Sequence, residues 1–124
     1  MTPLRDIRLL AFARQRALDG RHVHVMCRNM QIAAELVPAT DRLMNPFMGE
    51  QRTRYRYHFT DGDGSLELDS IGLGAHWVCG RNLARVTLIP HHSVLKGTQR
   101  IKDLWLALVN EVKHFPGVEV VWET

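Results

Sequence analysis

The chain of 124 residues carries 16 Lys and Arg against 13 Asp and Glu, with 45% hydrophobic and 23% charged residues. That is enough apolar material for one core and too balanced a mixture for a disordered, collagen-like or fibrous chain. No apolar run approaches the roughly 18 to 20 residues of a membrane helix, and Met1-Thr2-Pro3-Leu4-Arg5-Asp6 lacks the layout of a signal peptide, so a cytoplasmic protein without a membrane partner is expected.

The net charge of +3 is spread along the chain and permits a polyanionic partner without demanding one. Cys27 and Cys79 are too few and too far apart for a disulfide scaffold or a zinc knuckle, and both are expected to be buried.

The first element reads as a helix from Thr2, a cap, through Pro3 to an exit at Gly20, with Leu4, Ile7, Leu10, Ala11, Ala17 and Leu18 on one face. His22-Val23-His24-Val25-Met26-Cys27 alternates as a strand. Asn29 then caps a helix through Ile32, Ala33, Leu36 and Val37 that Pro38 is expected to interrupt, with a further helical turn between Thr40 and Met48.

Thr53 to Phe59 alternates basic and aromatic residues. The turn Thr60-Asp61-Gly62-Asp63-Gly64 joins it to Ser65–Asp69 as a β-hairpin, with Tyr55, Tyr57 and Phe59 on one face and Arg54, Arg56 and His58 on the other. Residues 71–82 read as an exposed glycine-rich loop carrying Trp77, followed by the strand Ala84–Ile89, which Pro90 stops. Thr98 caps the clearest helix, with Ile101, Leu104, Trp105, Leu108, Val109 and Val112 at helical spacing, and Val118–Trp122 forms a last strand. The alternation predicts a single α/β domain over residues 1–124, with a mixed sheet of about five strands and helices packed on it.

The order of helix, Gly20-Arg21-His22-Val23-His24-Val25, helix, hairpin, glycine segment and Ala84–Ile89 spans residues 3–90 and resembles the core of P-loop nucleoside triphosphatases of the phage-terminase and helicase type. In that family the first helix follows the phosphate loop, and a later strand ends in a metal-binding acid. This chain has no G-x-x-x-x-G-K-[ST], and Pro90-His91-His92 stand where the acid belongs. The resemblance therefore implies a phage-encoded relative that keeps the scaffold for binding without hydrolysing ATP.

Two constellations carry chemistry. His22 and His24 project from one strand face and, with His91, His92 and Asp61 or Asp63, would make a zinc site; the ordinary account is surface histidines. Arg52, Arg54 and Arg56, interleaved with Tyr55 and Tyr57 and extended by Arg81, Arg85, Lys96 and Arg100, form a basic strip suited to phosphates; the ordinary account is a solvated face over buried aromatics.

Asp61-Gly62-Asp63-Gly64 reads as a turn, not a calcium loop, and Ser93 beside His92 makes no triad because no orienting acid can be named. Trp77 is either a partner anchor or folded onto the sheet, and Trp105 is core.

The expected function is a small, non-enzymatic accessory or regulatory protein. It would bind a protein partner, nucleic acid or a second copy of itself through Arg52, Arg54, Arg56, Arg81, Arg85 and the Trp77 loop. A metal-dependent enzyme built on the histidines is the alternative, and a nucleotide site completed by another subunit is a third reading.

Overall fold

In the computed structural model, residues 2–48, 52–59 and 62–122 are described, with the side chains of 45–48, 52 and 53 outside that description. The elements in chain order are α1 (Leu4–Leu18), β1 (His22–Cys27), α2 (Met30–Met48), β2 (Arg52–Thr53), β3 (Arg56–His58), β4 (Ser65–Ser70), a 3-10 segment (Ile71–Val78), β5 (Val86–Pro90), α3 (His92–Leu95), α4 (Gln99–Val112) and β6 (Val118–Val120).

The strands form one mixed sheet in the order β2-β3-β4-β1-β5-β6, the expected five with the two-residue β2 as a sixth at the edge. β4, β1, β5 and β6 are parallel, while β2 and β3 join antiparallel. β1 and β5 are buried almost throughout because helical layers cover both faces of the sheet.

Side-chain alternation sorts the two cores. Val23, Val25, Cys27, Leu66, Leu68 and Ile89 pack under α1 and α2. Met26, Val86 and Leu88 pack with Ile71, Trp77, Trp105 and Leu108 from the 3-10 segment and α4 on the other face. The result is a single α/β domain of three layers.

Several local readings are corrected. Pro3, not Thr2, occupies the N-cap of α1, and its carbonyl accepts from the backbone N–H groups of Asp6 and Ile7. The buried stripe of α1 is Asp6, Leu9, Leu10, Ala13 and Ala17, whereas Leu4, Ile7 and Leu18 are exposed.

Asn29 caps α2 as expected, its Oδ1 accepting from Ile32 N at 3.0 Å, but the helix runs on through Pro38. Burial of Leu36, Ala39, Thr40 and Met44 outweighs the roughly 3 kcal/mol that an interior proline costs.

The strand expected over Thr53–Phe59 breaks at Arg54-Tyr55, which form the turn between β2 and β3. The hairpin itself stands, with Tyr57 opposite Leu66 and its hydroxyl donating to Asp41 Oδ1 at 2.7 Å. The exposed loop expected over residues 71–82 is confined to 79–82, because the 3-10 segment at 71–78 packs against α4 and buries Trp77. Cys27 is buried as expected, but Cys79 is exposed.

A polar clasp joins the first helix to the last strand. Arg16 donates to both carboxylate oxygens of Glu119, at 2.9 and 2.6 Å, and Thr87 Oγ1 donates to Glu119 Oε1 at 3.0 Å. Arg21 completes it, with Nε donating to Thr87 Oγ1 at 2.6 Å and Nη2 to the Gly117 carbonyl at 2.9 Å.

Candidate functional site

β1 and β5 are parallel neighbours whose onward connections part. From β1 the chain runs through α2 toward β4, and from β5 through α3 and α4 toward β6 on the other side. A crevice opens where such connections diverge, beyond the carboxyl ends of the strands, and this is where ligands bind in open α/β sheets. Here it is a cleft of about 790 Å³.

Each strand delivers residues to it. Arg28 follows β1, and His91, His92 and Ser93 follow β5, with His91 N donating to the Met26 carbonyl at 2.9 Å to continue the β1–β5 ladder. α1 returns to the sheet antiparallel to β1, so its first turn, with Pro3 and Asp6, reaches the same end. α2 adds Glu35 and Arg42 to the wall, and Lys96 stands just past α3.

At the floor lies a hydrogen-bonded chain. His91 is 3% and Asp6 6% exposed, and His91 Nε2 lies 2.9 Å from Asp6 Oδ1. On the other side of the ring, Ser93 N donates to His91 Nδ1 at 3.1 Å, and Ser93 Oγ sits 2.8 Å from the same nitrogen. Arg28 N donates to Ser93 Oγ at 3.1 Å.

A backbone N–H aimed at Nδ1 requires a lone pair there. The ring proton therefore sits on Nε2 and is donated to Asp6. Burial holds the His91 pKa below the usual histidine value despite the opposing charge of Asp6, so the ring is neutral near pH 7. The structure thus supplies the orienting acid for a serine–histidine pair that sequence reading could not name, with His91 rather than His92 as the partner.

His92 Nδ1 also approaches Asp6 Oδ1, at 3.2 Å, and these three residues place ligand-type atoms within 4.8 Å of one another. The tautomer works against a metal there, since His91 Nε2 carries the proton and has no lone pair to offer.

The expected zinc cluster does not assemble. His91 and His92 line this cleft, while His22 and His24 line a smaller one of about 420 Å³ on the α4 face of the sheet. Asp63 pairs with Arg85 at 3.7 Å, and Asp61 lies outside the described residues. His22 Nδ1 meets Ser65 Oγ at 2.8 Å instead of sharing a ligand with His24.

His24 has different company. Its Nδ1 lies 2.9 Å from Glu67 Oε2 and 3.6 Å from Asp69 Oδ2, neither in line with the N–H, so these are charge contacts rather than aligned hydrogen bonds. Burial opposes the imidazolium, but Asp69 and Glu67 outweigh it and the pKa is raised. Arg81 is the second cation here, 3.9 Å from Glu67 and 3.7 Å from Asp69, with its guanidinium carbon 4.1 Å from the centre of the Trp77 ring. His24, Glu67 and Asp69 also place ligand-type atoms within 4.8 Å of one another, but the two carboxylates are already matched by two cationic groups.

The basic strip is scattered. Trp77 is 1% exposed and donates from Nε1 to Asp69 at 2.8 Å, so it folds onto the sheet and offers no anchor to a partner. Arg81 and Arg85 face acids, Arg54 and Arg56 are exposed, and Arg100 is exposed on α4. Arg52 is described by its backbone alone, in β2. Lys96, counted with the strip, belongs to the large cleft.

These features define a three-layer α/β protein with a polar cleft at its switch point. Comparison with models of protein families, with curated proteins and with solved structures finds no match to the chain.

Proposed function

We propose that the chain binds a small phosphate-bearing ligand in the switch-point cleft. The observation that carries this reading is that Arg28, Arg42 and Lys96 line the cleft with no ion-pair partner among the described residues. Two carboxylates share the wall, Asp6, held by the two neutral histidines, and Glu35, so the three cations leave the cleft with an excess of positive charge.

Guanidinium forks suit phosphate oxygens, and Ile32, Leu36 and Pro38 supply an apolar wall for the rest of the molecule. The cleft of about 790 Å³ falls in the range of roughly 300 to 1,000 Å³ that small-ligand sites occupy, enough for a nucleotide-sized molecule. This keeps the scaffold-for-binding idea while moving the contact surface from the hairpin to the cleft.

The test is titration calorimetry of the full chain with inorganic pyrophosphate at low ionic strength. Saturable binding is expected, weakened at least about tenfold in Arg28→Ala/Lys96→Ala and by added salt. Absence of binding at low salt overturns the reading.

A second reading, nucleic acid on the hairpin, draws on the exposure of Arg54 and Arg56. It predicts steeply salt-dependent binding of a single-stranded oligonucleotide that Arg54→Ala/Arg56→Ala removes.

A further inference from the structure

We propose that Ser93 is the nucleophile of an ester-hydrolysing site in the large cleft, with His91 as its general base and Asp6 as the carboxylate that positions the base. The proposal deepens the cleft reading and rests on it for the substrate class, an acyl ester whose leaving group carries phosphate.

Hydrogen-bond polarity is the main argument. The lone pair of His91 on Nδ1 is shared by two donors of Ser93, its backbone N–H at 3.1 Å and its hydroxyl at 2.8 Å, and Arg28 N fills a lone pair of Ser93 Oγ from the other side. The proton path then runs in one direction, from Ser93 to His91 Nδ1 and from His91 Nε2 to Asp6, the order a nucleophile, base and orienting acid require.

Capping α3 explains why His91 Nδ1 meets Ser93 N. It does not account for a buried carboxylate on Nε2. Asp6 reaches the ring from 85 residues away, and Ser93 is half-buried on the wall of the cleft, open to a ligand.

The step balances with these groups alone. Ser93 Oγ attacks the ester carbonyl carbon, its proton passes to His91 Nδ1, which releases the cap bond from Ser93 N as it does so, and the carbonyl electron pair moves onto oxygen. Collapse of the adduct breaks the bond to the alcohol, which leaves with the proton from His91. Water repeats the sequence on the acyl-serine, releasing the carboxylic acid and restoring the hydroxyl.

The experiment uses diisopropyl fluorophosphate on the full chain, read by intact mass and peptide mapping. A P–O bond to Ser93 forms as the P–F bond breaks, and fluoride leaves. One adduct per chain on Ser93 is expected, absent in Ser93→Ala and slowed at least about 100-fold in His91→Gln.

The unmodified chain gives a readout that needs no variant to fold. The groups facing His91 are Asp6 and Arg5 from α1, Glu35 from α2 and the His92 ring beside it, with Arg28, Arg42 and Lys96 elsewhere on the cleft wall, and the balance leaves the ring neutral above its lowered pKa. The labelling rate should therefore be flat from about pH 7 to pH 9. No adduct, an adduct elsewhere, or a rate climbing about tenfold per pH unit, as an unassisted hydroxyl would show, overturns the proposal. Because the probe is uncharged, pyrophosphate binding without labelling sinks the nucleophile and spares the cleft reading, and labelling without pyrophosphate binding does the reverse.

Discussion

His91 Nε2 donates to Asp6 Oδ1 at 2.9 Å, joining the end of the central strand pair to the first turn of α1. Both residues are buried, so removing the acceptor strands a ring N–H away from water. Asp6→Ala is expected to lower the free energy of unfolding by about 1 to 3 kcal/mol, read from urea denaturation. A change indistinguishable from zero would mean that Nε2 has another partner.

The histidines pull the pH profile in opposite directions. Burial depresses the pKa of His91 and His92, so their contribution is complete above the unfolded value of 6.5 and fades as pH falls through the folded values. His24 is raised, so its contribution is complete below 6.5 and fades as pH climbs through the folded value. Stability should peak near pH 6.5, about the ordinary histidine pKa. The decline between pH 6.5 and pH 8 should vanish in His24→Gln, as chemical denaturation between pH 5 and pH 8 would reveal, below the range where the buried Cys27 thiol, pushed up to about 12, adds its own alkaline loss. An unchanged alkaline limb would discount the charges of Glu67 and Asp69.

Trp77 meets His24 edge-on at 4.8 Å between ring centres and lies under Arg81, with its indole N–H on Asp69. Replacement by alanine should cost about 3 to 5 kcal/mol. Replacement by phenylalanine, which keeps most of the volume and loses the hydrogen bond, should cost about 1 kcal/mol. Thermal melts separate these values, and near-wild-type melting of Trp77→Ala would return this residue to the surface.

Gly64 opens β4 against the last turn of α1, where a Cβ would fall 1.8 Å from the Ala17 carbonyl oxygen. Gly64→Ala should therefore destabilise by about 1 to 3 kcal/mol through forced backbone shifts. The same change at Gly62, with nothing within 4 Å, serves as the control and should leave stability nearly unchanged. Equal melting of the two variants would contradict the close approach.

The architecture was legible because its signals are local and repeated. The β1 alternation, the Asn29 and Thr98 caps and the stripe of α4 all needed only neighbouring residues to be read, and the caps appear as hydrogen bonds in the fold. The cleft was not legible in this way, since its key contact spans 85 residues.

One signal was present and missed. Asp6 lies on the same helical stripe as Leu10, Ala13 and Ala17, and a carboxylate on a buried stripe calls for a partner. Taking Leu4 and Ile7 as the face of α1 turned that stripe outward and hid the acid. The Trp77 segment was misjudged because its glycines read as a loop, whereas packing against α4 holds a 3-10 turn there. Pro38 misled in the converse sense, a local breaker overruled by tertiary burial.

The Arg16–Glu119 pair and the Arg21 bond to the Gly117 carbonyl hold β6, a three-residue edge strand with only half-buried side chains, to elements near the start of the chain. Such a strand has little apolar area to keep it in place by itself. Its detachment and the loosening of α1 from the sheet should consequently be one event, with amide hydrogens of Val118–Val120 and of the last turn of α1 exchanging with solvent at matched rates.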